Sequence, residues 1–388
     1  MILSTNFLNR LAILLSVCVL CFSGCAGTKH VMEGSSFPDK GKFRIAVFPV
    51  ENLSGTVVPL KEIRQVSIDK LRAKGVDVLE EEALEKLMAK YRVRYTGGVD
   101  RDVAKAFEQD GKVDGVLIIS VELYSDATPP KISLLSRLVS TGDNPSILWM
   151  DGVGLAGDDS PGILGLGLIE DPKTLLEKAL QSLTESLTVS LLRKGGREDI
   201  REAKRKFKPK VFFRSPMIDP NKKYTLAVLP FFNKSERKYG GEIIQLQFVK
   251  NLKELKNFEI IEPGLVRQQF LAMRIIMDQG VSLADADAIF STLDADLVVS
   301  GDLITYQDYQ GIWGTPKVDF SVLFVDRKGR KVVWSSTSYN EGDDGVFFFD
   351  WGKVNTAYAM ASQMTQRIGK MFIEDSKRVQ GGGGGPAK

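Results

Sequence analysis

The sequence predicts an α/β protein in which one mixed-sheet domain occurs twice in tandem behind an exported N-terminus. Three observations carry that prediction. A short apolar strand ending in proline appears twice, the elements behind it recur in the same order, and 388 residues at 43% hydrophobic and 26% charged suffice for two ordinary globular cores.

The chain opens with Arg10, an apolar run from Leu11 to Phe22, and then Ser23, Gly24 and Cys25. The run is too short to cross a bilayer, which takes ~20 apolar residues, but fits the apolar region of a signal peptide. Residues 1–24 are therefore expected to be a lipoprotein signal peptide, and 25–41 a lipidated cysteine with its tether. Of the three cysteines, Cys18 and Cys21 lie in the segment that would be removed, so Cys25 alone stays and is free for a thioether to lipid. The ending Phe22-Ser23-Gly24-Cys25 resembles the bacterial lipobox, with Phe22 where leucine is usual, and by the same resemblance Ala26 favours outer-membrane sorting.

The first repeated element is Phe43-Arg44-Ile45-Ala46-Val47-Phe48-Pro49, matched by Tyr224-Thr225-Leu226-Ala227-Val228-Leu229-Pro230. Each is followed at equal spacing by Asn and Ser, Asn52 and Ser54 in one copy, Asn233 and Ser235 in the other. Such β-branched runs stopped by proline read as buried strands leaving a sheet. A helical stretch follows, clearest from Glu242 to Leu255, where Val249, Leu252 and Leu255 recur at helical spacing. Second strands are read at Val76–Glu80 and Phe258–Glu262, then helices at Ala83–Tyr91 and Leu265–Ile276. Asp100 and Ser282 are candidate N-caps of a further helix, because their side-chain oxygens can accept free backbone N–H groups. The third strand pairs Val113–Ser120 with Leu293–Ser300. A hairpin then pairs Lys131–Trp149 with Lys317–Trp334, with Gly142 and Gly329 in its turns. Amphipathic helices close the copies at Thr174–Leu192 and Val354–Phe372.

These matches set the domains: a first α/β repeat over 42–192, a basic linker over 193–221, a second repeat over 222–375, and a flexible glycine-rich tail over 376–388. Helices covering a mixed sheet is the architecture such an order implies. The proline-ended strand, the Asn/Ser turn and the strand order resemble the N-terminal domain of TolB, the curli secretion channel lipoprotein (CsgG) and lipoprotein activators of peptidoglycan synthases. That resemblance implies the fold and an envelope role, and it brings no catalytic residue.

Candidate chemistry is sparse. The only histidine, His30, lies in the tether, and neither domain holds a cysteine, which excludes histidine triads and Cys/His zinc sites from the folded body. Gly152-Val153-Gly154-Leu155-Ala156-Gly157 spells a dinucleotide fingerprint. No helix opens after it, so a pyrophosphate would have no N-terminus to rest on. The repeated Gly-Asp-Asp, Asp158 and Asp159 in one copy and Asp343 and Asp344 in the other, offers weak metal candidates, since two carboxylates supply few of the ~6–8 oxygens Ca²⁺ takes. Turn residues bonding nearby N–H groups are the plainer reading. Trp149 and Trp334 read as core rather than ligand platforms. Phe347, Phe348, Phe349 and Trp351 are candidate partner-binding residues if they form an exposed patch.

A net charge of +3 argues against nucleic acid. The expectation is a non-enzymatic protein without a cofactor, lipid-anchored at Cys25 on the periplasmic side of the outer membrane. Its partners would be the membrane and envelope proteins, and its role to scaffold or regulate an assembly or export system; a homo-oligomer fits this reading. The alternative is a subunit of a curli-type secretion channel. The segment from Asp151 to Pro172 disfavours it, being short and glycine-rich, with a still shorter counterpart from Glu341 to Gly352, where the channel has long alternating segments that supply membrane strands of ~9–11 residues.

Overall fold

The computed structural model describes residues 43–159, 167–192, 207–275, 283–309, 311, 314–346 and 352–381. Cys25, His30, Ser282 and the candidate patch at Phe347, Phe348, Phe349 and Trp351 lie outside the described residues. Within them no helix is long and apolar enough to cross a membrane.

The first domain runs β1 (Arg44–Val47), β2 (Glu51–Asn52), α1 (Leu60–Ala73), β3 (Asp77–Val78), α2 (Glu81–Lys90), α3 (Arg101–Gln109), β4 (Gly115–Ser125), β5 (Lys131–Ser140), β6 (Ile147–Ala156) and α4 (Pro172–Leu192). Its sheet has the order β3-β1-β4-β5-β6. The β1 strand is parallel to both neighbours, β4 to β6 form an antiparallel meander, and β2 pairs parallel with the middle of β4 at Ser120 and Val121. Helices α1 and α4 pack Ile63, Leu71, Leu176 and Leu180 on one face, and α2 and α3 pack Leu84 and Phe107 on the other.

The second domain repeats the plan as β7 (Lys210–Arg214), β8 (Tyr224–Val228), β9 (Phe232–Asn233), α5 (Gly240–Lys253), β10 (Phe258–Ile260), α6 (Pro263–Ala272), α7 (Leu283–Leu293), β11 (Leu297–Ser300), β12 (Asp302–Gln307), β13 (Lys317–Asp326), β14 (Lys331–Glu341) and α8 (Ala357–Gly381). The parallel trio β10-β8-β11 corresponds to β3-β1-β4. Helices α5 and α8 cover one face, and α6 and α7 the other.

Backbone registers show that the copies are one fold. The ladder between β4 and β5 slips between Val121 and Leu123, and its counterpart slips between Leu303 and Thr305. In both hairpins the register shifts beside the tryptophan, which faces Leu138 in one copy and Phe324 in the other. The Asn/Ser turns also coincide. Asn52 Oδ1 accepts from Ser54 N at 3.0 Å, and Asn233 Oδ1 from Ser235 N at 3.1 Å. As expected, Asp100 caps α3 by accepting from Val103 N at 2.8 Å, and both tryptophans are core, Trp334 packed edge-on to Phe324.

Three expectations are corrected. The third strands align two residues away from the sequence match: Ile45 pairs with Gly115 where Leu226 pairs with Leu297, so Asp114 corresponds to Asp296 rather than Asp294. The reason is a shared bond. Asp114 Oδ2 accepts from Arg44 N at 2.8 Å, and Asp296 Oδ2 from Thr225 N at 3.1 Å, each tying the strand entry to β1 or β8. The stretch read as linker contributes β7, which pairs antiparallel with β14 and satisfies an edge that would otherwise be open. The final helix starts at Ala357, where Asp308 Oδ1 accepts the Ala357 N–H at 2.7 Å, and it runs to Gly381, into the stretch expected to be tail.

Candidate functional site

The two Gly-Asp-Asp loops are turn devices. Gly157 N donates to Pro130 O and Gly157 O accepts from Ile169 N; in the other copy Gly342 N donates to Pro316 O and Gly342 O accepts from Val354 N. A Cβ at Gly157 would come within 2.0 Å of Ile169 O, and at Gly342 within 2.3 Å of Val354 O, so only glycine fits either crossing. The second acid of each loop bonds its own turn: Asp159 Oδ2 accepts from Ala156 N at 2.8 Å and Asp344 Oδ2 from Glu341 N at 2.9 Å. Among the described residues no cluster of three or more acidic, histidine or cysteine side chains could hold a metal.

The first two glycines of the apparent dinucleotide fingerprint, Gly152 and Gly154, sit inside β6, against the second domain. A Cβ on Gly152 would lie 2.0 Å from the Tyr358 hydroxyl, and one on Gly154 2.5 Å from Tyr358 Cδ1. They clear space for α8 of the second copy to rest on the first copy's edge strand. The matched residues of β14, Thr337 and Tyr339, have no such burden, and Tyr339 is 57% exposed.

The most distinctive chemistry lies along this seam between domains. Arg137 on β5 and Glu262, the N-cap residue of α6, are both fully buried and form an ion pair at 3.1 Å. The guanidinium also donates to Gly97 O, while Glu262 Oε1 accepts from Val99 N at 3.4 Å and from its own helix at Gly264 N, 3.3 Å. Burial opposes the Arg137 charge, but Glu262 through charge and hydrogen bond, with Glu51 behind it, raises the guanidinium's pKa. Close backbone contact accompanies the pair: a Cβ on Gly264 would meet Val99 N at 2.4 Å.

A second buried acid, Glu122 on β4, accepts from Gln247 Nε2 of α5 at 3.3 Å and from the Tyr306 hydroxyl at 3.5 Å, and Arg237 donates to its carbonyl. Burial pushes its carboxyl up to about 8, against the lowering effect of the Gln247 bond. At the far end Lys131 donates to Tyr309 O at 2.8 Å, and burial pulls its ammonium down to about 8. These groups are spent on each other across the seam. They present no nucleophile, base and stabilising donor around a common reaction centre. Sequence reading does not single them out, although the signal is there: Glu122, Lys131 and Arg137 are charged residues within or at the start of largely apolar strands that are buried almost throughout.

No protein-family model matches the chain, and no curated protein matches it. Among solved structures it is similar to the PelC dodecamer from Paraburkholderia phytofirmans, at 18% identity and TM-score 0.29, over 42% of this chain and 94% of that one. It is also similar to lipoprotein GNA1162 from Neisseria meningitidis, at 16% identity and TM-score 0.26, over 31% of this chain and 85% of that one. A third is the C-terminal domain of LpoB from Salmonella enterica, at 12% identity and TM-score 0.24, over 31% of this chain and 83% of that one.

Proposed function

We propose that this chain is a non-enzymatic interaction protein of the bacterial envelope, anchored through lipid on Cys25 at the periplasmic side of the outer membrane, where it scaffolds or regulates an assembly or export system. The observation that carries the reading is the N-terminal arrangement of an apolar run, two small residues and a single remaining cysteine, in front of a duplicated body whose buried charges are consumed in joining its halves. Multiple acyl chains at ~0.8 kcal/mol per buried methylene would hold such a body firmly to a membrane. The resemblance to the TolB N-terminal domain and the curli channel belongs to the same proposal, as does the candidate partner patch at Phe347, Phe348, Phe349 and Trp351.

The test is Cys25→Ala followed by cell fractionation and crosslinking in cells. The expected result is transfer of the mature protein from the membrane to the soluble periplasmic fraction, with loss of lipid labelling and of crosslinked envelope partners. A variant that stays in the membrane and keeps its lipid label overturns the anchor.

A further inference from the structure

In an open α/β sheet, helices that leave adjacent parallel strands on opposite faces open a crevice at the carboxyl ends of those strands, where ligands tend to bind. Both copies have this geometry, with α1 and α2 around β1, and α5 and α6 around β8. The copies treat the crevice differently. In the first, Arg64 Nε donates to Val47 O at 3.1 Å and the same guanidinium forms an ion pair with Glu81 at the start of α2, closing the gap. In the second, Gln245 takes the position of Arg64 and makes the matching bond to Val228 O at 2.7 Å, while Pro263 takes the position of Glu81. Neither can bridge the gap, and a cleft of about 320 Å³ remains, within the ~300–1,000 Å³ of ligand pockets.

The first domain roofs this cleft. Tyr95 and Glu51 come from it, and Tyr239, Glu242 and Arg267 from the second, so the site exists only with both copies in place. Glu51 Oε2 accepts from Ser120 Oγ at 2.6 Å, which fixes the carboxyl. Burial raises its pKa, with Glu242 and Glu262 adding to the rise, and this weakens its hold on a cation. The aromatic faces that would attract an ammonium group are already used: Arg267 lies 4.2 Å from the Tyr95 ring centre, and Lys238 4.9 Å from that of Tyr239. Left on offer are hydrogen-bonding groups of both polarities, two phenols, carboxyls and a guanidinium, beside the apolar faces of Pro263 and Val266. A small, uncharged molecule rich in hydroxyls matches that set.

We propose that the cleft between α5, α6 and the Glu51 and Tyr95 segments is a binding site for a neutral sugar of one or two rings, assembled from both domains. The site is independent of the anchoring reading, since neither requires the other.

The test uses the full chain in detergent and saturation-transfer NMR with cellobiose, N,N′-diacetylchitobiose and choline chloride as probes. The decisive variant, Gln245→Arg with Pro263→Glu, rebuilds the first copy's closing pair and leaves Glu51, Tyr95, Tyr239, Glu242 and Arg267 in place. Expected is saturable binding of at least one disaccharide to the wild type, loss of it in the rebuilt variant, and about tenfold weaker binding in Glu242→Ala, the cost of one charge-assisted hydrogen bond. Glu242 is exposed, so that second variant reports even if the rebuilt one fails to fold. The proposal is overturned if neither disaccharide binds saturably, if choline binds in their place, or if binding is unchanged in Glu242→Ala or in a folded rebuilt variant.

Discussion

The two copies share a backbone plan, yet they differ at the surfaces by which they meet, and the difference shows how a duplicated domain becomes one body. In the first copy the edge strand β6 carries Gly152 and Gly154 and lies under α8 of its neighbour. In the second the equivalent strand β14 carries Thr337 and Tyr339 and is flanked by β7, drawn from the chain between the copies. The first copy's outer strand is covered on one face by the other domain, whereas the second copy's is paired along its edge by the chain's own β7. The seam is heterologous as well: β4 and β5 of the first copy meet α5 and α6 of the second, and no second set of the same contacts exists among the described residues.

The largest expected effect comes from breaking the buried pair that only this arrangement supports. Arg137→Met leaves Glu262 charged and fully buried, and removing one partner of a buried ion pair costs about 3–5 kcal/mol. Urea unfolding should show that loss and separate a single transition into two, as the copies uncouple. Replacing both partners, Arg137→Met with Glu262→Gln, should recover part of the stability, because no isolated charge remains. A single mutant with unchanged stability would mean the domains do not depend on each other.

The next effect is a pH dependence specific to the first copy's β4. Glu122 has its carboxyl raised from 4.5 to about 8 in the folded protein. A raised folded value means the folded state holds the proton more tightly. The associated stability is therefore complete below about 4.5 and is lost as pH rises toward 8, by a few kcal/mol at most. Glu122→Gln should flatten stability across that window and leave most of the remaining slope to the other buried carboxyls. Above pH 8 the sign reverses for Lys131, whose folded value is lowered to about 8, so its contribution grows with pH.

What is legible in the sequence follows the same division. The proline-ended strands, the Asn/Ser turns and the hairpins are written in local chemistry that both copies keep, and the structure has them, and the Asp100 cap of the first copy, where the sequence places them. The register of the third strand is not legible, because Asp294 and Asp296 are two residues apart and only the bond to Thr225 N selects Asp296. The seam is invisible for another reason. Arg137 and Glu262 are far apart in the chain and have no counterpart pair in the repeat, so self-similarity, the strongest signal here, says nothing about them. Gly152 and Gly154 stand out in the sequence only as a nucleotide motif whose context fails; their use is steric.

That use gives a prediction of intermediate size. Gly154→Ala places a methyl 2.5 Å from Tyr358 Cδ1 and 2.8 Å from Thr356 Oγ1, so α8 must shift or Tyr358 must leave its place. Overpacking of this kind costs about 1–3 kcal/mol. The matched change at the exposed position of β14, Tyr339→Ala, should cost less than about 0.5 kcal/mol. Equal thermal stability for the two variants would show that α8 does not bear on β6.

The smallest expected effect separates the two Gly-Asp-Asp loops, which the sequence presents as equals. Asp159 bonds Ala156 N within its turn, but its other oxygen accepts from Asn355 Nδ2 of the second domain at 3.0 Å, and burial raises its pKa. Asp344 bonds Glu341 N and Asn340 Nδ2, both at the end of β14 in its own domain. Asp159→Ala therefore removes a turn bond and a seam bond, leaving the Asn355 amide in search of water, while Asp344→Ala removes bonds that solvent can replace. The first should cost about 1–2 kcal/mol and the second about 0.5 kcal/mol. Added CaCl₂ should leave the melting temperature of the wild type unchanged, because both carboxylates are already committed to N–H donors. A rise in melting temperature with Ca²⁺ that vanishes in Asp159→Ala or Asp344→Ala would make that loop a cation site and overturn its reading as a turn, whereas equal costs without Ca²⁺ would remove Asp159 from the seam.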